Sequence, residues 1–192
     1  MRFDTVLAAT DVPILRGEVA ALRRPARRFA RGVTAARSGS SQPRQFQLVV
    51  DESDESWTFD RQGDRHRDRY ADGVLHSVDG PVEVSFARSG TVAPAVRMLT
   101  PELLPMWGSP ASFAPVLVQR LRGHWLLVTC EHEHDPADRM TAVIDERDGV
   151  VRRWYGTSEV VVLTEVRVMA DDEPEPSRPR FSRLSTWPAL AY

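Results

Sequence analysis

Five apolar stretches in the second half of the chain, separated by turn signals, constrain the fold most. VLVQRL, HWLLVTCEHEH, MTAVIDE, VVRRW and EVVVLTEVRVM follow one another between residues 116 and 169. Each is short and rich in residues that favour strands, and Asp148-Gly149 reads as a hairpin turn between two of them. Strands as apolar as VLVQRL, HWLLVT, AVI and VVVL cannot keep one whole face in water, so one face of the sheet must pack against something. The first half supplies matching strands. Phe46, Leu48 and Val50 alternate with Gln45, Gln47 and Val49; DESDES is a polar turn; Trp57 and Phe59 resume the alternation. VLHSV and VEVSFA follow, with turn signals at Gly63-Asp64, Asp72-Gly73 and Asp79-Gly80-Pro81. This spacing predicts an antiparallel meander.

Helical signals are fewer. Over residues 12–33, Leu15, Val19, Leu22, Ala26, Phe29 and Val33 fall on one side of a 3.6-residue wheel, and Arg23, Arg24, Arg27, Arg28 and Arg31 on the other. Pro25 interrupts this segment. A second, short helix is predicted within residues 99–107, with Thr100 as N-cap, Pro101 in the first helical position and Pro105 limiting its length. The expectation is an α+β domain over residues 1–170: a large curved antiparallel sheet, or half-barrel, with one or two helices covering its concave face. Residues 171–192 begin DDEPEPSRPR, whose repelling carboxylates and prolines support neither ladder nor helix, so a flexible acidic, proline-rich tail is expected there.

Charge and cysteine content exclude several classes. A net charge of −2 gives no general attraction to nucleic acid. A single cysteine excludes an internal disulfide and any multi-cysteine zinc site. No apolar run has the length of a membrane span. The first 15 residues are broken by Asp4, Thr10, Asp11 and Pro13 and make a poor signal peptide, so a cytoplasmic location is expected.

The order of elements and several local patterns resemble the LolA-like lipoprotein-carrier superfamily, whose fold is an unclosed β-barrel. The resemblance covers roughly residues 40–169. It rests on Leu103-Leu104-Pro105 before a tryptophan, on Arg122-Gly123-His124-Trp125 at a strand start, on the hairpin AVIDERDGVVRRW and on the last strand VVVLTEVRV. It implies a curved sheet with helices over its concave face and a cavity for acyl chains or other apolar ligands. It also makes residues 15–22 the first strand, whereas their local periodicity makes them helix.

Four groups of residues are candidate sites. In CEHEHD, a strand places Cys130, His132 and His134 on one side, a donor set suited to Zn²⁺ or to a Cys-His nucleophile; the alternative is a buried cysteine followed by a solvated strand end. RQGDRHRDRYADG, residues 61–73, reads as a strand with an arginine row beside an Asp/His row, either an anion or base site or a sheet surface laced with ion pairs. Seven arginines and no acidic residue lie between Arg23 and Arg44, and Arg23, Arg24, Arg27, Arg28 and Arg31 are candidates for contact with an anionic partner. Trp57, Trp107, Trp125, Leu127 and Trp154 are candidates for lining an apolar pocket. There is no Gly-rich phosphate loop, G-x-S-x-G or HExxH.

The leading expectation is non-enzymatic binding or carriage of an apolar or amphiphilic, lipid-like ligand in the sheet's concavity, with no cofactor, no resident metal and no nucleic-acid partner. The second is a cytoplasmic interaction or regulatory protein that contacts a protein partner through its arginine-rich segment and tail. The third is a metal-dependent enzyme built on Cys130, His132 and His134.

Overall fold

The computed structural model describes residues 5–7, 24–37, 42–90, 93–100, 103–104, 113–179 and 181. After a short strand β1 (Thr5–Leu7), a first meander runs through β2 (Arg27–Ala36), β3 (Arg44–Asp51), β4 (Ser56–Arg61), β5 (Asp68–Ala71), β6 (Val74–Ser77) and β7 (Gly80–Glu83). Two short helices follow, α1 (Phe86–Ser89) and α2 (Pro94–Leu99). A second meander comprises β8 (Phe113–Arg120), β9 (Trp125–His132), β10 (Asp135–Asp145), β11 (Val151–Tyr155) and β12 (Glu159–Val168). Among the described residues these form one twelve-stranded sheet in the order β1-β8-β9-β10-β11-β12-β2-β3-β4-β5-β6-β7. Every pairing is antiparallel. The order ends on β1 and β7, so the sheet stays open, and register shifts in β8, β10 and β12 bend it. This is the expected half-barrel, with two short helices among the described residues.

Three local expectations are corrected. Residues 27–36 are strand, not helix: β2 pairs with β3 on one side and with β12 on the other. Two full ladders outweigh a local helical periodicity. Residues 12–23 lie outside the described residues, as do 15–22, where helix and strand competed. Residues 61–73 are not one strand, because the chain turns between β4 and β5, with Asp64 N–H donating to Arg61 C=O at 3.1 Å. The short helix ends where it was expected to begin. Pro94 takes its first turn, and Thr100 closes it, its N–H donating to Val96 C=O at 3.1 Å. Ala95, Val96, Met98 and Leu99 face the core, and their burial holds this short stretch as helix. Of the expected helix after Thr100, residues 101–102 and 105–107 lie outside the described residues.

The core lies between the inner face of the sheet and the helices. Ala30, Phe46, Leu48, Val50, Trp57 and Phe59 from the first meander meet Val118, Leu126, Val128, Ala142, Ile144 and Val161 from the second. Burying each large side chain of this set is worth roughly 2–3 kcal/mol. The strand alternation turns Trp125, Leu127 and Thr129 to the outer face, where a separate small cluster forms from Phe29, Val49 and Met169. The guanidinium groups of Arg31 and Arg167 lie over the Phe29 ring at 5.2 and 4.9 Å.

Gly32 sits where β2 meets the bulged part of β12. A Cβ there would come within 2.4 Å of Val162 O and 2.5 Å of the Phe46 ring. The β10–β11 hairpin turns on Gly149, whose φ of 70° suits glycine. Asp145, 1% exposed, ties this hairpin together. Its Oδ1 accepts from the backbone N–H of Arg147 at 3.1 Å and from Arg147 Nε at 2.9 Å, and its Oδ2 accepts from Arg147 Nη2 at 2.7 Å. Arg152 Nη2 donates to Asp148 Oδ2 at 2.5 Å. Burial alone would raise the Asp145 pKa, but these hydrogen bonds and the charges of Arg147 and Arg152 hold it below the usual carboxylate value.

Gly32→Ala is expected to cost about 1–3 kcal/mol in denaturant unfolding, because backbone and an aromatic ring must both give way. Asp145→Asn is expected to cost about 2 kcal/mol at neutral pH. The folded pKa of Asp145 is depressed, so its contribution is complete above an unfolded value of about 4 and fades as pH falls through the folded value. The stability gap between wild type and Asp145→Asn should therefore narrow toward pH ~3. An equal gap at both pH values would show that the charge of Asp145 is immaterial.

Candidate functional site: the inner face and its cover

The apolar inner face needs a cover, and the described cover is slight. Helices α1 and α2 have four and six residues, and neither has a side-chain N-cap hydrogen bond. Helices this short are not stable alone, so packing holds them in place. Among the described residues no backbone hydrogen bond ties either helix to a strand. Their attachments are side chains. Trp57 Nε1 on β4 donates to Ser89 Oγ at 2.8 Å, and Ser89 Oγ donates to Phe86 C=O at 2.7 Å. The rings of Trp57 and Tyr70 stack with centroids 6.4 Å apart, and the Phe86 ring is tilted against Tyr70 at 5.7 Å. Tyr70 OH donates to Val84 C=O at 3.2 Å.

Arg97 is a half-buried charge on this cover. Its stem lies against Gly90, where an added Cβ would come within 3.1 Å of Arg97 Cγ. Its Nε is buried without a hydrogen-bond partner among the described residues. Burial pushes the guanidinium pKa down, opposed by the charge of Glu159. A cation held this way favours an arriving anion.

The expected pocket-lining residues do not form one wall. Trp57, 1% exposed, is core, and Trp154 packs against the core from β11. Trp125 and Leu127 lie on the outer face, because Leu126, Val128 and Cys130 take the inner positions of β9. Trp107 lies outside the described residues.

The arginine candidates also separate. Arg23 lies outside the described residues, and Arg24 is exposed. Arg28 is 5% exposed and pairs with Glu52, whose Oε2 also accepts from Ala26 N–H at 3.0 Å. Arg27 and Arg31 lie on the outer face, Arg27 Nη1 donating to Glu173 C=O at 2.6 Å and Arg31 lying 3.6 Å from Glu165. Of the candidates on β2, Arg28 thus lies on one face and Arg27 and Arg31 on the other.

In CEHEHD, the strand ends at His132, and β10 begins at Asp135. Cys130 is fully buried, and burial pushes its thiol up to about 12. His134 N–H donates to His132 Nδ1 at 3.2 Å, and the two rings meet edge-on at 5.9 Å. Among the described residues no three His, Cys, Asp or Glu side chains gather at metal-binding distances. No helix among them is long and apolar enough to cross a membrane.

Sequence reasoning did not anticipate Arg97, Ser89 or Asp60. Arg97 reads as a helix surface residue, and Asp60 reads as one charge among many in a polar stretch. Asp60 is 2% exposed and receives Arg67 Nε at 2.9 Å. The only local signal for it is strand alternation, which places Asp60 beside Thr58 on the outer face.

No protein-family model matches the chain, and no curated protein matches it in sequence. Solved structures do match. The chain is similar to a structure of the Pseudomonas aeruginosa MucA/MucB complex at 13% identity and a TM-score of 0.45, with 83% of this chain and 58% of that chain covered. It therefore spans less than two thirds of that chain. It is similar to an outer membrane lipoprotein-sorting protein domain from Vibrio parahaemolyticus at 11% identity and a TM-score of 0.38, covering 86% of this chain and 95% of that one. A LolA superfamily protein from Nitrosomonas europaea matches at 8% identity and a TM-score of 0.34, with 85% and 94% covered.

Cys130→Ser places a hydroxyl in an apolar surround and is expected to cost about 1–3 kcal/mol. In the wild type a thiol reagent at pH 8 should label Cys130 only after unfolding. Rapid labelling of the native protein, or zinc retained by the wild type and lost in the variant, would overturn a structural role.

Proposed function

We propose that the chain binds an apolar or amphiphilic ligand on the inner face of its sheet, as a non-enzymatic binding or carrier protein. One observation carries this reading. An extensive apolar face is covered, among the described residues, by two helices of four and six residues, and no backbone hydrogen bond between described residues ties either helix to a strand. An apolar ligand can replace the contacts made by Phe86, Val96 and Met98 without breaking a backbone ladder, so the helices act as a displaceable cover. Trp57 and Trp154 supply aromatic walls on this side. Arg97 supplies a partly desolvated cation for the polar end of an amphiphile, which favours an anionic headgroup such as a carboxylate.

The test is a titration of the full chain with a fluorescent long-chain fatty acid, with unlabelled fatty acid as competitor. Saturable binding is expected. Arg97→Met should weaken fatty-acid binding about tenfold, the worth of one charge-assisted hydrogen bond, and leave binding of the corresponding methyl ester unchanged. Trp125→Glu, on the outer face, should leave both unchanged. Absence of saturable binding to folded protein would overturn the reading.

A further inference from the structure

Residues 173–178, Glu-Pro-Glu-Pro-Ser-Arg, lie across the outer face of β2–β5, on the side of the sheet away from the proposed ligand. Three of their side chains meet complementary groups in order. Glu173 takes two hydrogen bonds from Arg167, at 2.6 and 2.8 Å, and its C=O accepts from Arg27. Glu175 pairs with Arg67 and accepts from Thr58 Oγ1 at 2.9 Å. Arg178 donates to the backbone carbonyls of Asp64 and Arg65 and lies 3.2 Å from Asp60 Oδ1. Gln47 Nε2 donates to Ser177 C=O at 3.4 Å.

This is the geometry of a bound peptide. No backbone-to-backbone hydrogen bond among the described residues joins 173–178 to a strand, so side chains of the sheet do the reading. The prolines at 174 and 176 favour an extended backbone and remove donors that would otherwise need partners. The receptor side is built. Asp60 is 2% exposed, Arg67 holds its Oδ2, and among the described residues its buried Oδ1 has no hydrogen-bond partner and faces the Arg178 guanidinium. A buried carboxylate oxygen in that state favours a cation at that place in any occupant. The attachment is also exchangeable. The ion pairs of Glu173 and Glu175 are partly exposed, and exposed pairs hold weakly and are screened by salt. The fit is incomplete as well: a cavity of about 460 Å³, lined by Arg27, Thr58, Arg69, Asp171 and Glu175 among others, lies beside the segment.

We propose that the outer face of β2–β5 is a binding site for an extended, proline-containing peptide of a partner protein with the pattern Glu-x-Glu-x-x-Arg, and that residues 173–178 fill it in cis as an exchangeable intramolecular ligand. The partner's peptide is selected by its two carboxylates and by the arginine that reaches Asp60, and side chains larger than those of the chain's own segment can use the open cavity. This proposal does not depend on ligand binding at the inner face.

The experiment uses the full chain carrying Glu173→Arg, Glu175→Arg and Arg178→Glu, which releases the segment while leaving the receptor intact. A fluorescent peptide of residues 171–179 should bind this variant at least tenfold tighter than wild type, and binding should weaken as salt rises. Adding Arg67→Glu should abolish it. Circular dichroism and the melting temperature verify folding. A second measurement avoids the charge-reversed segment altogether. Wild type labelled at Ser177→Cys, with Cys130 buried, should lose fluorescence anisotropy when excess unlabelled peptide displaces the segment. No peptide binding to folded variant, or no displacement in labelled wild type, would make residues 173–178 a fixed strap and overturn the proposal. Salt-sensitive dimers of the wild type in light scattering would assign the site to a second copy and overturn the partner assignment.

Discussion

The pairing of β12 with β2 holds this molecule together. Every other strand pair but β1–β8 joins neighbours in sequence, and those meanders could form separately. The β12–β2 ladder brings residues 159–168 against 28–36 and makes one sheet of two halves. Its register decides which side chains meet. Ala30 goes inward to the common core, and Phe29 goes outward, where Arg31 and Arg167 flank it. Gly32 lets the Phe46 ring and the Val162 carbonyl come close, and the bulge after Leu163 absorbs the bend. Non-local ladders of this kind form late and at an entropic cost, which the apolar inner face offsets.

Once the halves are joined, the two faces have different physics. The inner face is held by burial of large side chains, which is non-directional and tolerates exchange of one apolar partner for another. The outer face is held by charge pairs with defined geometry. This chain uses arginine for all 25 of its basic residues, and the planar guanidinium serves repeatedly as a clamp. Arg147 holds Asp145 with two side-chain hydrogen bonds, and Arg67 holds Asp60. Where such a pair is buried, as with Arg28 and Glu52, both partners are needed, because removing one leaves an uncompensated charge.

The two proposed binding modes follow from that division. A lightly attached cover over an apolar face suits a ligand recognised by shape and hydrophobicity, with Arg97 adding a preference for one charged end. A row of guanidinium groups and one buried carboxylate suits a peptide recognised by charge order along an extended chain. The modes use opposite faces and different residues, so the molecule can carry both without competition for space.

Much of the architecture was legible from local signals. The turns at Asp72-Gly73, Asp79-Gly80 and Asp148-Gly149, the alternation through Phe46, Leu48 and Val50, and the burial of Cys130 on the same side as Leu126 and Val128 all depend on residues a few positions apart. The sequence by itself therefore determined the meanders, their antiparallel pairing and the need to cover one face. Only the tertiary structure decided the rest. The wheel formed by Phe29, Val33 and their arginines suggested a helix, but ladders to β3 and β12 made it a strand and divided Arg27 and Arg28 between opposite faces. Trp125 and Trp154 looked alike in sequence and ended on different sides of the sheet. The polar stretch around Asp60 and the proline-rich segment after residue 170 gave no local sign of meeting, since their contacts join residues more than 100 positions apart. Hydrophobic period and turn chemistry are properties of a few adjacent residues, whereas the choice of partner strand and face depends on which distant segments bury each other.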